Sequence, residues 1–124
     1  MKDKTLDTPY IYFELKDDIL LGTYKGAITL EIAKKTVETR LKFTEGKSYP
    51  VFGQGINVSA IDRDAREYFA SAEAVKGIKA GAFYVESVFQ SFLINFSFNI
   101  FTPIVPVKIF TDRQKAIKWL EQYK

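Results

Sequence analysis

Apolar and polar residues alternate in two short runs near the start of the chain. Tyr10-Ile11-Tyr12-Phe13-Glu14-Leu15 and Ile19-Leu20-Leu21-Gly22-Thr23-Tyr24 are rich in aromatic and β-branched residues, and the polar Lys16-Asp17-Asp18 stands between them. This pattern predicts a β-hairpin. Residues 1–8 carry no such run and are expected to form a flexible tail. The spacing then changes from two to three and four. Leu30, Ala33, Val37 and Leu41 make the inner stripe of an amphipathic helix, with Thr29 as N-cap and Gly46 as its stop. Glu31, Lys34, Lys35, Glu38 and Lys42 fall on the opposite, solvated face.

Tyr49 to Val58 predicts a third strand, with Gly53 and Gly55 inside it. A dinucleotide loop would need a third small residue at position 58, where this chain has Val58. Glycine within a strand instead indicates a bulge or a close backbone approach. A second helix follows, capped by Asp62 or by Asp64, since Asp64-x-x-Glu67 has capping-box spacing. Ile61, Ala65, Phe69 and Ala72 are expected on its inner face, and Gly77 at its end. Ile78 to Val85 holds Lys79 as its only charge and predicts a strand covered on both faces. Near the end, Val105-Pro106-Val107-Lys108-Ile109-Phe110 predicts an edge strand. A last helix begins at a Thr111-x-x-Gln114 capping box and is phased by Ile117 and Leu120, with Trp119 on the rim of the core.

Between these elements, Ser87 to Val107 carries no charge and contains five phenylalanines. Ser87, Gln90, Ser91, Asn95, Ser97 and Asn99 interrupt it, and it is too polar for a membrane span, which wants roughly 20 predominantly apolar residues. On a helical wheel Val88, Phe89, Phe92, Leu93, Phe96 and Ile100 share one broad face. Ile94, Phe98 and Phe101 fall among the polar residues and near one another. They are candidates for an interaction surface, most simply that of a two-fold homodimer, or for a patch covered by the same chain. The pattern as a whole is ββαβαβαβα, an α/β domain spanning residues 1–124 with an N-terminal hairpin, then mainly parallel strands and four helices.

Composition narrows the chemistry. The chain has no cysteine and no histidine, so thiolate catalysis, sulfur-ligated metals, imidazole proton shuttles and Ser-His-Asp triads are excluded. No metal or cofactor site is expected. A net charge of +3, with acids and bases interspersed, does not point to nucleic acid. The N-terminus lacks the apolar stretch of a signal peptide and the absence of cysteine is compatible with a reducing compartment, so the expected location is the cytoplasm. Asp17-Asp18 and Asp62/Asp64 are the close acidic pairs; one fits a turn and the other helix capping, so the chain is not expected to be an enzyme.

The segment Val51-Phe52-Gly53-Gln54-Gly55-Ile56-Asn57-Val58-Ser59-Ala60-Ile61-Asp62-Arg63-Asp64-Ala65 resembles the signature of STAS domains, the anti-sigma-factor-antagonist fold. That signature runs from a strand through aspartate-leucine-serine-glycine-valine to aspartate-serine-serine-glycine at a helix start. Val58, Ile61 and Asp62 match it. The stretch from Asn95-Phe96 through Pro103 to Asp112, followed by Ala116-Ile117-Lys118-Trp119-Leu120, is similar to a group of uncharacterised bacterial STAS-like proteins. The resemblance implies a STAS-like fold and marks Ser59, Asp62, Arg63 and Asp64 as motif positions. Gln54 stands where the family has its strand-end aspartate, and Arg63 and Asp64 where it has the serine pair that carries the regulated phosphate. No phosphoregulation is therefore expected here. Asp64 is either a plain helix cap or a fixed substitute for phosphoserine, with about one negative charge against roughly 1.5–2. Ser59 is expected in the turn before the helix.

Two functions are compatible with these observations. One is a non-catalytic, regulatory or protein-interaction module that docks another protein or a second copy of itself. The other is a binder of a hydrophobic small molecule or lipid through the Phe-rich segment 85–101.

Overall fold

The computed structural model describes residues 3–86 and 104–124, with the backbone alone for residues 56–59. Six described strands form one sheet in the order in which they occur along the chain. They are β1 (Lys4–Asp7), β2 (Ile11–Lys16), β3 (Ile19–Ile28), β4 (Tyr49–Ile61), β5 (Ile78–Tyr84) and β6 (Val107–Phe110). The described helices are α1 (Leu30–Phe43), α2 (Arg63–Phe69) and α3 (Arg113–Glu121). The pairs β1·β2 and β2·β3 are antiparallel, and β3·β4, β4·β5 and β5·β6 are parallel. The fold is thus the expected α/β architecture, a hairpin followed by parallel strands. The helix expected over the Phe-rich run lies outside the described residues.

The hairpin turns on Asp17 and Asp18, both at positive φ (52° and 62°). Two consecutive left-handed residues match the twist of the flanking strands, and aspartate tolerates that region better than most side chains. The expected N-terminal tail is instead a strand: Lys4–Asp7 pairs with Tyr12–Leu15 at the sheet edge. Its Lys-Thr-Leu-Asp sequence is polar because both its faces are largely open to solvent, so the alternation that marks an internal strand is absent.

Alternation along each strand divides the core. Ile11, Phe13, Leu15, Leu20 and Tyr49 pack with Phe43 of α1 on one face. Ile19, Phe52, Ala80 and Ala82 pack with Ala116 and Leu120 of α3 on the other. Right-handed crossovers between strands that advance in one direction must stack on one side of the sheet. Accordingly α1 and α2 share a face, joined through Ile28, Ala33 and Ala65. The chain after β6 covers the opposite face with α3, where Trp119 sits between Phe110 (ring centroids 5.8 Å apart) and Tyr123 (5.0 Å).

Local signals hold in part. Thr29 caps α1, its hydroxyl accepting from the Ile32 N–H, and Gly46 at φ 76° terminates the turn after it. The inner face of α1, however, is Ala33, Thr36, Val37, Arg40 and Phe43, while Leu30 and Leu41 stand at its half-buried edges. The first carboxylate of α3 that accepts helix N–H groups belongs to Asp112, bonded to Gln114 and Lys115, in place of the expected Thr111 box. A carboxylate accepts both donors at once, which a hydroxyl one residue earlier cannot reach. Gly53 confirms the close approach expected of a strand glycine: a Cβ there would lie 2.8 Å from Cε1 of Phe83.

Candidate functional site

The motif positions converge at the junction of β4 and α2. Strands β3 and β4 run on past their neighbours, through a bulge between Lys25 and Ala27 near Gly26 (φ 72°), to pair Ile28 with Ile61. This extension places Ser59 within β4 rather than in the turn. The Asp62 N–H donates to the Ile28 carbonyl at 3.0 Å and fixes the start of α2. Asp62 is the N-cap by backbone conformation, yet its side chain makes no capping hydrogen bond. Asp64 lies in the first turn, exposed, and the expected Asp64–Glu67 capping box does not form. Glu67 instead pairs with the Arg63 guanidinium at 3.1 Å. Arg66 reaches back to donate to the Ile61 carbonyl at 2.6 Å.

Of the expected inner face of α2, Ala65 is buried and Phe69 half-buried, whereas Ile61 is 36% exposed and Ala72 exposed. The helix ends at Phe69, and the turns up to Gly77 (φ 80°) carry the chain into β5. Asp62, Arg63 and Asp64 thus stand together on one exposed helical turn beside Ile61. Ile94, Phe98 and Phe101 lie outside the described residues, as do the side chains of residues 56–59.

A second cluster was not expected. Arg40, on the inner face of α1, is only 5% exposed. Its fork donates to the Lys76 carbonyl at 2.8 Å and the Ala74 carbonyl at 2.6 Å, holding the α2–β5 connection against α1. No described carboxylate forms an ion pair with it. Burial pushes the Arg40 guanidinium down from its ordinary range, opposed by Tyr24 and Tyr68. Burial likewise pushes the Tyr24 hydroxyl up, against the pull of Arg40 and of a hydrogen bond with Thr36. One sequence signal could have found Arg40: it follows Ala33 by seven residues and Thr36 by four, in phase with the inner stripe.

Tyr68, on α2, donates to the Glu73 carboxylate at 2.5 Å. Burial first, then the Glu73 hydrogen bond and charge, push its hydroxyl up to about 12. The raised value means that the folded protein keeps a proton that the unfolded chain releases near pH 10. Stability that is complete below pH 10 should therefore fall as pH rises to about 12. Melting temperatures recorded across this range should fall, and Tyr68→Phe should flatten the decline.

A cavity and an open groove flank the sheet. A cavity of about 70 Å³ lies between the sheet, α1 and the α2–β5 connection, walled by Val37, Phe69, Phe83 and Val107 and reached by Arg40. An open groove of about 560 Å³ runs from Asp17 and Asp18 of the hairpin to Ile117 and Glu121 of α3. Among the described residues no group of three or more acidic, histidine or cysteine side chains could hold a metal ion. No described helix is long and apolar enough to cross a membrane.

This arrangement of sheet and helices is a STAS-like, or SpoIIAA-like, fold. It is similar to the crystal structure of an uncharacterised protein of the DUF3478 family from Shewanella loihica PV-4, described as having a SpoIIAA-like fold. The two superpose with a TM-score of 0.60 at 13% identity, over 96% of this chain and 92% of that one. The chain belongs to the family described as a domain of unknown function, DUF7793, whose model matches residues 13–124. No curated protein matches it.

Proposed function

We propose that this chain is a non-catalytic interaction module of STAS-like type, without the phosphoacceptor serine, that docks a protein partner at the β4–α2 junction. One observation carries this reading. The first turn of α2 presents Asp62, Arg63 and Asp64 to solvent beside the partly exposed Ile61, and the Asp62 carboxylate is not consumed in capping. Charged groups around an apolar residue, held on a fixed turn, suit electrostatic selection of a partner. The cysteine-free chain suits a reducing cytoplasm.

A photo-crosslinking residue at position 64, used in the native host, tests the proposal. A discrete adduct is expected, and its mass separates a second copy from another protein. Asp62→Lys combined with Arg63→Glu should abolish it while leaving the fold intact, at a cost of about 1 kcal/mol for a cation at the helix N-terminus and the loss of the Arg63–Glu67 pair. An adduct that persists in that variant, or that forms equally from position 38 on the outer face of α1, overturns the docking surface.

A second reading, binding of a hydrophobic small molecule or lipid through segment 85–101, is favoured by the apolar cavity. Its wall includes Val105 and Val107, which follow that segment in the chain. Native mass spectrometry of protein purified from its own host should then show a retained ligand.

A further inference from the structure

The cavity combines an apolar wall with one buried cation. Among the described residues its lining is almost wholly aliphatic and aromatic, and the polar side chains on it are those of Tyr24, Thr36 and Arg40. A guanidinium has five N–H donors. Two of those on Arg40 go to the Ala74 and Lys76 carbonyls, which bring dipoles but no negative charge. The groups that face the guanidinium from β3 and α2, Tyr24 and Tyr68, are both held in the neutral form. A buried cation is ordinarily paired, and among the described residues this one has no anionic partner.

We propose that this cavity binds the carboxylate end of a small apolar monocarboxylic acid, with the Arg40 guanidinium as its counter-ion. The planar fork of arginine matches a carboxylate. The apolar wall favours a hydrocarbon chain and disfavours a strongly hydrated anion such as phosphate. Size sets the length: a water needs roughly 10–15 Å³ of such space, so the site takes a head group and a few carbons, not a whole lipid chain. The inference deepens the hydrophobic-ligand reading and rests on it; the docking reading stands apart from it.

Hexanoate, hexanol and inorganic phosphate are the probes, followed by calorimetry and saturation-transfer NMR on the full chain. Hexanoate is expected to bind about tenfold or more tightly than hexanol, the effect of one charge-assisted hydrogen bond, and phosphate is expected not to compete. Gly81→Val is the main variant. Gly81 lines the cavity, and among the described residues a Cβ there would come within 4 Å of Val107 Cγ2 alone, at 3.9 Å, so there is room for a side chain that takes up part of the space. Valine also suits a strand. This variant should lose hexanoate binding with no fall in melting temperature. Arg40→Lys, which keeps the charge but not the fork, should bind more weakly; if it fails to fold, Gly81→Val decides alone. Equal binding of hexanol, competition by phosphate, hexanoate binding that survives Gly81→Val, or no binding at millimolar hexanoate would each overturn the proposal. A long-chain lipid retained in both wild type and Gly81→Val would overturn this site while sustaining the broader hydrophobic-ligand reading.

Discussion

Arg40→Met is expected to destabilise the protein by about 2–4 kcal/mol. Each hydrogen bond from a charged donor contributes about 1.5–3 kcal/mol, and the two carbonyls it holds, those of Ala74 and Lys76, would lose their donor. Removing a buried charge recovers part of that loss, which keeps the net below the sum of the two bonds. Urea unfolding measures the change. Hydrogen exchange should locate it, since Val75 and Ile78 of the 70–78 connection donate to local carbonyls, of Ser71 and Val75, and faster exchange of these amides is expected once the clamp is gone. Arg40→Lys should recover little, because a single ammonium cannot fork between carbonyls two residues apart. A methionine variant that melts like the wild type would show that the connection holds itself without the arginine.

Phe52→Ala should cost about 3–5 kcal/mol, the range for truncating a fully buried aromatic. Phe52 is 2% exposed and stacks on Tyr84 with ring centroids 6.4 Å apart. It shares its cluster with Ala80, Ala82 and Ala116, which cannot reach into the space, and with Ile19 and Leu120, which can do so only in part. Ile104→Ala is the contrasting case. Ile104 is 60% exposed, and its truncation should stay within about 0.5 kcal/mol. Chemical denaturation of the two variants side by side separates a filled interior from a solvated edge.

What could be read in advance follows from where solvent lies. Strand β2 and helix α1 were legible because each buries a regular subset of positions, so their period appears in the sequence, and β3 and β5 because they are mainly apolar runs. Strand β1 was not legible, because an edge strand with Lys4, Thr5 and Asp7 on open faces has no period to show. The length of β4 was hidden for a related reason. Its last residues are ordered by pairing with β3 beyond the bulge, a tertiary cause invisible in the local pattern. In the candidate site, the STAS-like spacing placed Asp62, Arg63 and Asp64 at a helix start. It could not reveal that the Asp62 side chain leaves the cap unmade, since capping depends on a rotamer as much as on residue type. Arg40 was masked by chemistry: a charged residue on a helix suggests an outer face, and only its phase contradicts that.

The match between strand order and chain order bears on biosynthesis. Each described strand from β2 onward lies beside the one made just before it. As the polypeptide leaves the ribosome, every new strand therefore meets a template already complete, and none has to wait for a distant partner or be inserted between two earlier ones. The growing edge of the described sheet lies on the newest strand until α3, which follows β6 in the chain, closes over β4, β5 and β6. The described strand order thus allows growth by accretion, with α3, made after these six strands, covering the face that α1 and α2 leave open.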